Sequence, residues 1–414
     1  MKKQKSIRNR LAMAMCALAA NPSIVAAEEG DRAVENDWII DSSVLRYDEE
    51  DRVSVTKALI NVDGNVSNTD NVKIGIVFDS LTGATPTGAI NGEGNVAVFT
   101  SASGGGNFTA SNGGTVELAD FEDTRLAVTL DWEHTSTRRL RHNYGGALSV
   151  ENDWRSFGAN YQLNFDSKTK RNTYMAGVAY TNDEIFRVGG GTPTGLARTD
   201  TPITFGEGSR NTFDFLAGVS RVLNRRTVGQ FTVTAGVSDG YHSDPYKVIS
   251  QIDSDNSNLE SGRFFENRPD ERTRYTLAGK LVHRLPNERD TANISYRFYD
   301  DDWDIASHTV DLKYRRSLGA KGKFLEPHFR VYRQSAAFFY SNSLELGSEL
   351  PEFASADSRL DQFTGVTLGL KYGMPLGSNG KFRVRAEYID QSFDQAQFDT
   401  LNATLFQLSY EKAF

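Results

Sequence analysis

Cysteine is nearly absent from this chain of 414 residues: the single copy, Cys16, sits inside the first apolar run. Cleavage after Ala27 removes it, so the mature chain is expected to have no disulfide, no thiolate metal site and no thiol nucleophile. Long apolar runs are missing as well. Beyond the first residues no stretch approaches the ~18 apolar residues that a membrane helix needs, and mean hydropathy is −0.47. Positive charge is also in deficit. The formal net charge is −8, and removing residues 1–27 takes away five basic and no acidic side chains, which makes it −13. An acidic chain of this kind is a poor partner for nucleic acid.

What is present begins with a secretory pattern. Lys2, Lys3, Lys5, Arg8 and Arg10 form a basic end, Leu11 to Ala20 a short apolar run, and Val25-Ala26-Ala27 a small-residue cleavage site. Met15, ahead of Cys16, is too bulky for the lipoprotein pattern, so no lipid anchor is expected. The expected organisation is a cleaved signal peptide at 1–27, a short periplasmic segment at 28–36 and one domain at 37–414.

That domain repeats one unit, a run of about ten residues with apolar side chains at every second position. Ile74, Ile76 and Phe78 alternate with Lys73, Gly75 and Val77. Leu126, Val128, Leu130 and Trp132 do the same against Arg125, Ala127, Thr129 and Asp131. Successive strand side chains point to opposite faces, so each run has one apolar and one polar face. A membrane β-barrel spends only every second residue on lipid and therefore looks polar on average. The pattern predicts an all-β, up-and-down antiparallel transmembrane barrel of about sixteen strands, with both termini periplasmic.

Connection lengths fall in phase with the strand count. The gaps at 166–171, 224–226, 286–290, 319–322 and 374–379 are short, whereas 83–122, 182–210, 239–271 and 334–360 are long. Short turns carry Arg138, Arg139, Lys168, Lys170, Arg225, Arg226 and Lys321, and the long loops are acidic. This puts the long loops outside the cell and the turns in the periplasm. The Gly-, Thr- and Asn-rich stretch 83–118 reads as loop. In the last strand Phe406, Leu408, Tyr410 and the terminal Phe414 share one face, the pattern of a signal for the machinery that inserts such barrels.

Alternation assigns to the interior Arg297, Asp311, Lys313, Arg315, Glu326, His328, Arg330, Lys371, Arg383, Arg385, Glu387 and Glu411. Charges on an inner wall require water or pairing, and a barrel of this size is wide enough to be wet. These residues are the candidate pore lining, and a lattice of ion pairs across strands is the alternative role for them. Chemistry-bearing motifs are weak. His242-Ser243-Asp244 holds three triad residue types, but consecutive positions do not converge. His308 and His328 lack a partner nucleophile at any recognisable spacing. Asp253, Asp255 and Ser257 begin like a calcium loop that Asn258 and Phe264 then break. Gly189-Gly190-Gly191-Thr192 lacks the phosphate-loop lysine. Asp300-Asp301-Asp302-Trp303-Asp304 reads as a solvated acidic loop, with cation binding beside lipopolysaccharide phosphates as the alternative. Phe338-Phe339-Tyr340 belongs either to an aromatic girdle or to a loop packed into the mouth. No cofactor, metal or catalytic residue is expected.

Several stretches resemble a family of outer-membrane proteins known as domain of unknown function 3570. They include Asp79-Ser80-Leu81-Thr82-Gly83-Ala84, Ser238-Asp239-Gly240-Tyr241, Asp244-Pro245-Tyr246-Lys247 and Glu266-Asn267-Arg268-Pro269-Asp270. Others are Asp302-Trp303, Ser307-His308-Thr309-Val310, Leu325-Glu326-Pro327-His328, Tyr332-Arg333-Gln334-Ser335-Ala336 and Thr367 to Gly373. The resemblance implies an outer-membrane barrel and periplasmic redox and flavin-transfer proteins as partners, but no substrate. The expected function is a water-filled pore, ligand-gated or passive, or the barrel component of an envelope complex, surrounded by outer-membrane lipid and lipopolysaccharide. The alternatives are a structural or adhesive barrel, favoured if loops such as 83–122 close the lumen, and an outer-membrane hydrolase.

Overall fold

The computed structural model describes residues 38–90, 98–100, 107–109, 116–188, 190–201, 205–256, 259–287, 289–319 and 322–414. The signal peptide, the segment 28–36, Gly189, Ser257, Asn258 and Lys321 lie outside the described residues. Sixteen strands form one closed sheet. They are β1 Trp38–Glu49, β2 Val53–Asn65, β3 Asp70–Ile90, β4 Val116–Thr137, β5 Leu140–Val150, β6 Trp154–Asp166, β7 Asn172–Ile185 and β8 Gly208–Asn224. The circuit continues with β9 Thr227–Gly240, β10 Glu271–Arg284, β11 Thr291–Asp301, β12 Ser307–Ser317, β13 Phe324–Gln334, β14 Phe363–Leu376, β15 Gly380–Phe393 and β16 Thr400–Ala413.

Every neighbour pair is antiparallel and sequential, and β1 closes the circle on β16 with Val44 opposite Leu408. Because the count is even, Trp38 and Phe414 meet at the end that carries the short turns, where the Phe414 N–H donates to the Trp38 carbonyl at 2.9 Å. The ladder between β12 and β13 skips Tyr314 and Arg315, opposite Pro327 and Glu326. Proline has no N–H to give there.

The wall is inverted relative to a soluble protein. Ile76, Phe78, Leu126, Leu130, Phe157, Phe215, Leu368 and Phe406 are all exposed on the outer face, far beyond the few hundred Å² of contiguous apolar surface that a water-facing monomer tolerates. Trp132, Tyr144 and Tyr161 stack in a row toward the short-turn end, with ring centroids 5.2 Å apart at each step. Aromatic bands of this kind belong at a lipid–water boundary.

One expectation needs correcting. Residues 83–90 and 116–122 are strand, not loop: β3 and β4 continue past the wall, with Thr82 opposite Glu122 and Ala84 opposite Asp120. Glycine and threonine content suggested a loop, but β3 and β4 keep exchanging hydrogen bonds with each other here, so each still has a partner where the neighbouring strands have ended.

Candidate functional site

Inside the barrel, ion pairs join strand to strand. The Arg383 guanidinium on β15 reaches both carboxylate oxygens of Asp41 on β1 at 2.6 Å and Glu411 on β16 at 2.9 Å, so it fastens the seam where the circle closes. Arg385 donates to Glu387 at 2.5 Å. His328 stands between Glu387, 2.7 Å from its Nδ1, and Asp311, 2.8 Å from its Nε2, and Lys313 lies 3.4 Å from Asp311. Glu326 accepts from Arg315 at 2.6 Å and from Lys371 at 3.0 Å. On the other strands the pairs include Arg141–Asp166, Arg210–Asp183, Arg274–Asp214 and Lys73–Asp63.

The predicted lining residues therefore share the inner face, and among the described residues all but Arg297 and Arg330 are in ion pairs. The interior is not packed solid. A cavity of about 580 Å³ is bordered by Asp41, Asn61, Arg315, Lys371, Arg383 and Glu411, which come from both sides of the seam. The Arg315 and Lys73 side chains keep 47% and 49% exposure while facing inward. Charged side chains with this much exposure are solvated, so water enters the lumen from the turn end.

The loop end is different. There the described residues of the segments 186–207, 241–270, 302–306, 335–362 and 394–399, with Pro86 to Ala89 at the end of β3, interlock into a cap. Short strands Val248–Asp253, Leu259–Phe265 and Ser343–Glu345 make a small sheet of their own. Two apolar clusters hold it, Trp303, Ile305, Ala337, Phe339, Tyr340 and Leu360 in one, and Ile249, Phe264, Leu344, Ala354 and Ala356 in the other. Phe339 and Tyr340 thus belong to the mouth packing rather than to a girdle, while Phe338 stays exposed.

Between the clusters lies a buried charge network. Arg268 bridges Glu266 at 3.0 Å and Asp357 at 2.8 Å, tying 241–270 to 335–362. Arg359 pairs with Asp357 and lies 3.5 Å from Asp244. Ser355 donates to Glu266 at 2.5 Å, and the Asp244 N–H donates to the same carboxylate. Burial opposes the charge on Asp357, yet Arg359, Lys247 and Arg268 hold its carboxyl well below the ordinary value. Burial likewise opposes Arg268, and Glu266 and Asp357 more than offset it, so its value is raised.

The cap spans the barrel. Gly88, from the β3–β4 hairpin, packs so closely on the Val248 carbonyl and Ala356 that a Cβ there would lie 2.2 Å from the carbonyl oxygen, and its φ of +94° suits glycine alone. Lys247 donates to the Pro86 carbonyl, and Gln397, between β15 and β16, donates to the Gly88 carbonyl at 2.9 Å. Loops rooted far apart around the circle therefore meet over its end.

The candidate chemistry resolves as follows. His242 accepts from Ser238 at 2.8 Å and donates from Nδ1 to the Gly240 carbonyl at 2.8 Å, while Ser243 accepts from the Arg268 N–H, so no triad forms. Burial first, then Arg210, Arg272 and Arg268, push His242 down to about 3. His308 meets Tyr296, by a hydrogen bond, and the ring of Phe298, on the outer face. Both ring nitrogens of His328 face carboxylates, which leaves neither to take a proton from a substrate. Asp301 is buried, paired with Arg272, and accepts from the Trp303 and Ile305 N–H groups, so it is a structural anchor and not a solvated charge. Asp253 accepts from the Asp255 N–H in a 3₁₀ turn.

Two features escaped sequence reading. Asp123, Glu151 and Asp153 gather buried carboxylates within 4.8 Å of one another beside β4 and β5, a donor set that could hold a hard cation. The cap network itself was also missed. A signal for it existed: Asp244, Lys247, Glu266 and Arg268 all fall in stretches that carry the family resemblance.

Comparison with known proteins agrees on the family. The model of the family described as "Protein of unknown function (DUF3570)" matches residues 8–411. No curated protein matches in sequence. Similar solved structures include the siderophore receptor PirA from Acinetobacter baumannii, at 10% identity and TM-score 0.42, covering 87% of this chain and 54% of that one. CdiB from the same organism has 9% identity and TM-score 0.49, covering 91% and 61%. A bacterial polysaccharide outer membrane secretin has 9% identity and TM-score 0.46, covering 92% and 100%. The chain spans about half the length of the Acinetobacter receptor.

Proposed function

The chain belongs to the DUF3570 family, and we propose that it is an outer-membrane channel whose extracellular mouth is closed by the loop cap and opens when the cap is displaced. The observation that carries this reading is the pairing of a wet, charged lumen with a cap that crosses one end. A barrel that needed only to be solid would gain more from apolar packing than from solvated charges. In this reading the apolar wall meets outer-membrane lipid, the loops face lipopolysaccharide, and the short turns and both termini face the periplasm. Residues 1–27 direct export. The turn side is then the face open to periplasmic partners, including the redox proteins that the family resemblance implies.

The outward Phe406, Leu408 and Tyr410, with the terminal Phe414, serve the barrel-assembly machinery. Deleting Phe414 is expected to lower outer-membrane levels while the inserted fraction stays heat-modifiable on gels; unchanged levels contradict this role. A permanently closed structural barrel is the second reading, and the contact of Gly88 with Val248 and Ala356 favours it. Purified protein in planar bilayers separates the two. The channel reading expects discrete, intermittent conductance steps, and silence from folded protein at every voltage supports the structural barrel. A hydrolase has the least support, since His328 is fully engaged.

A further inference from the structure

Three inward cations stand outside the ion-pair lattice. Lys280 on β10, Arg297 on β11 and Arg330 on β13 have no carboxylate within ion-pair distance among the described residues, and each keeps partial exposure to the lumen. Their positions are set by register. Lys280 lies opposite Ser295, two residues from Arg297, and Arg297 lies opposite Thr309, whose other neighbour is Tyr332, two residues from Arg330. Asp311 lies opposite Arg330 in the ladder, but its carboxylate is held by His328 at 2.8 Å and Lys313 at 3.4 Å.

Arg297 and Arg330 lie within reach of each other's charge and of Arg274, and the Arg297 guanidinium sits 5.5 Å from the centroid of the Tyr299 ring. Like charges gathered on one wall repel each other, and folding gains nothing from leaving them unpaired. The opposite wall carries the complement. Asp131 and Glu133 on β4, eight strands around from β12, also lack ion pairs among the described residues.

We propose that Arg297 and Arg330 form a binding site in the lumen for a small oxyanion of the carboxylate or phosphate class. Guanidinium forks match both groups with paired N–H donors, and Thr309 on the intervening strand lies opposite Arg297 in the ladder. The site deepens the channel reading and depends on it for a role in transit, because the wall then holds anions on one side and cations on the other.

The test uses full-length protein in detergent, titrated calorimetrically with inorganic phosphate and with citrate at constant ionic strength, sodium chloride serving as control. Saturable binding above the chloride control is expected for at least one of them, and the tighter one identifies the class. The double variant Arg297→Gln/Arg330→Gln should bind at least tenfold more weakly, and Arg297→Lys/Arg330→Lys should fall between. Neither change strands a paired carboxylate, so heat-modifiability should persist; if the double variant misfolds, Arg330→Gln alone is read instead. No binding by wild type, or undiminished binding by the glutamine variants, overturns the site. Binding without bilayer conductance keeps the site and removes the channel, whereas conductance without binding does the reverse.

Discussion

Two ionic networks stand at different levels of one molecule, and they differ in what surrounds them. In the lumen the paired carboxylates Asp41 and Asp311 keep 34% and 22% side-chain exposure, and Glu326 and Glu387 keep 10% and 5%. In the cap, Asp244, Glu266 and Asp357 are 1%, 2% and 1% exposed. The residue types are the same and so are the distances. Water reaches the first set through its exposed members, and those pairs contribute about 1 kcal/mol or less. The second set has given up its hydration, and removing one partner leaves the other as an uncompensated buried charge, at about 3–5 kcal/mol. The lumen network can therefore be edited singly, while the cap network is held or released as a unit.

The change that strains this contrast most is Arg268→Met, which leaves buried Glu266 without its ion-pair partner Arg268 and Asp357 with Arg359 alone. It should loosen the cap by about 3–5 kcal/mol, seen as faster amide exchange across 241–270 and 335–362 with no change in the wall strands. Equal protection in variant and wild type would mean that the network does not hold the cap.

Acid should act on a comparable scale and over a defined range. His242 is held below its ordinary value of 6.5, at about 3. Its contribution to cap stability is complete above pH 6.5 and is lost as pH falls through 6.5 toward 3, by about 1.4 kcal/mol for each unit within that window. Asp357, also held low, contributes above its ordinary 3.8 and is lost only below it, so it does not confuse the reading between pH 6.5 and 4. Amide exchange in the cap should quicken in that interval, and His242→Gln should flatten the response. A pH-independent cap in wild type would remove His242 from the account. The smallest effect belongs to Lys371→Met, because Glu326 keeps Arg315. Its midpoint of heat modification should correspond to about 1 kcal/mol or less, and a loss as large as that of Arg268→Met would erase the distinction between the two networks.

How much of this was legible in the sequence follows the same division. Alternation marks one face of each strand, so the sixteen strands, the apolar wall and the inward position of Arg383, Glu387 and Glu411 could be read locally. The partners of those charges could not: Arg383 meets Asp41 only because β1 and β16 close the circle. That closure also changes what Arg383 and Arg385 are good for. Both are locked in pairs, which leaves the unpaired Arg297 and Arg330 as the better probes of selectivity. The cap has no period at all. Arg268 and Asp357 belong to different loops, and Phe339 is buried against Trp303 and Ile305 of another loop, so no window of sequence contains the contact. Gly88 lay in a stretch whose composition read as loop, although its tight approach to Val248 is what glycine permits. The carboxylates of Asp123, Glu151 and Asp153 converge through the pairing of β4 with β5, which spacing alone does not reveal.

The account stands or falls on the cap being the gate of a wet channel, and single-channel recording of wild type beside Arg268→Met tests this most directly. Both proteins should show the same unit conductance, since the lumen is unchanged, while the open fraction should rise at least tenfold in the variant, as release of about 3–5 kcal/mol from the closed state requires. A variant whose cap exchanges freely but whose open fraction matches wild type, or a wild type that never opens, would contradict it.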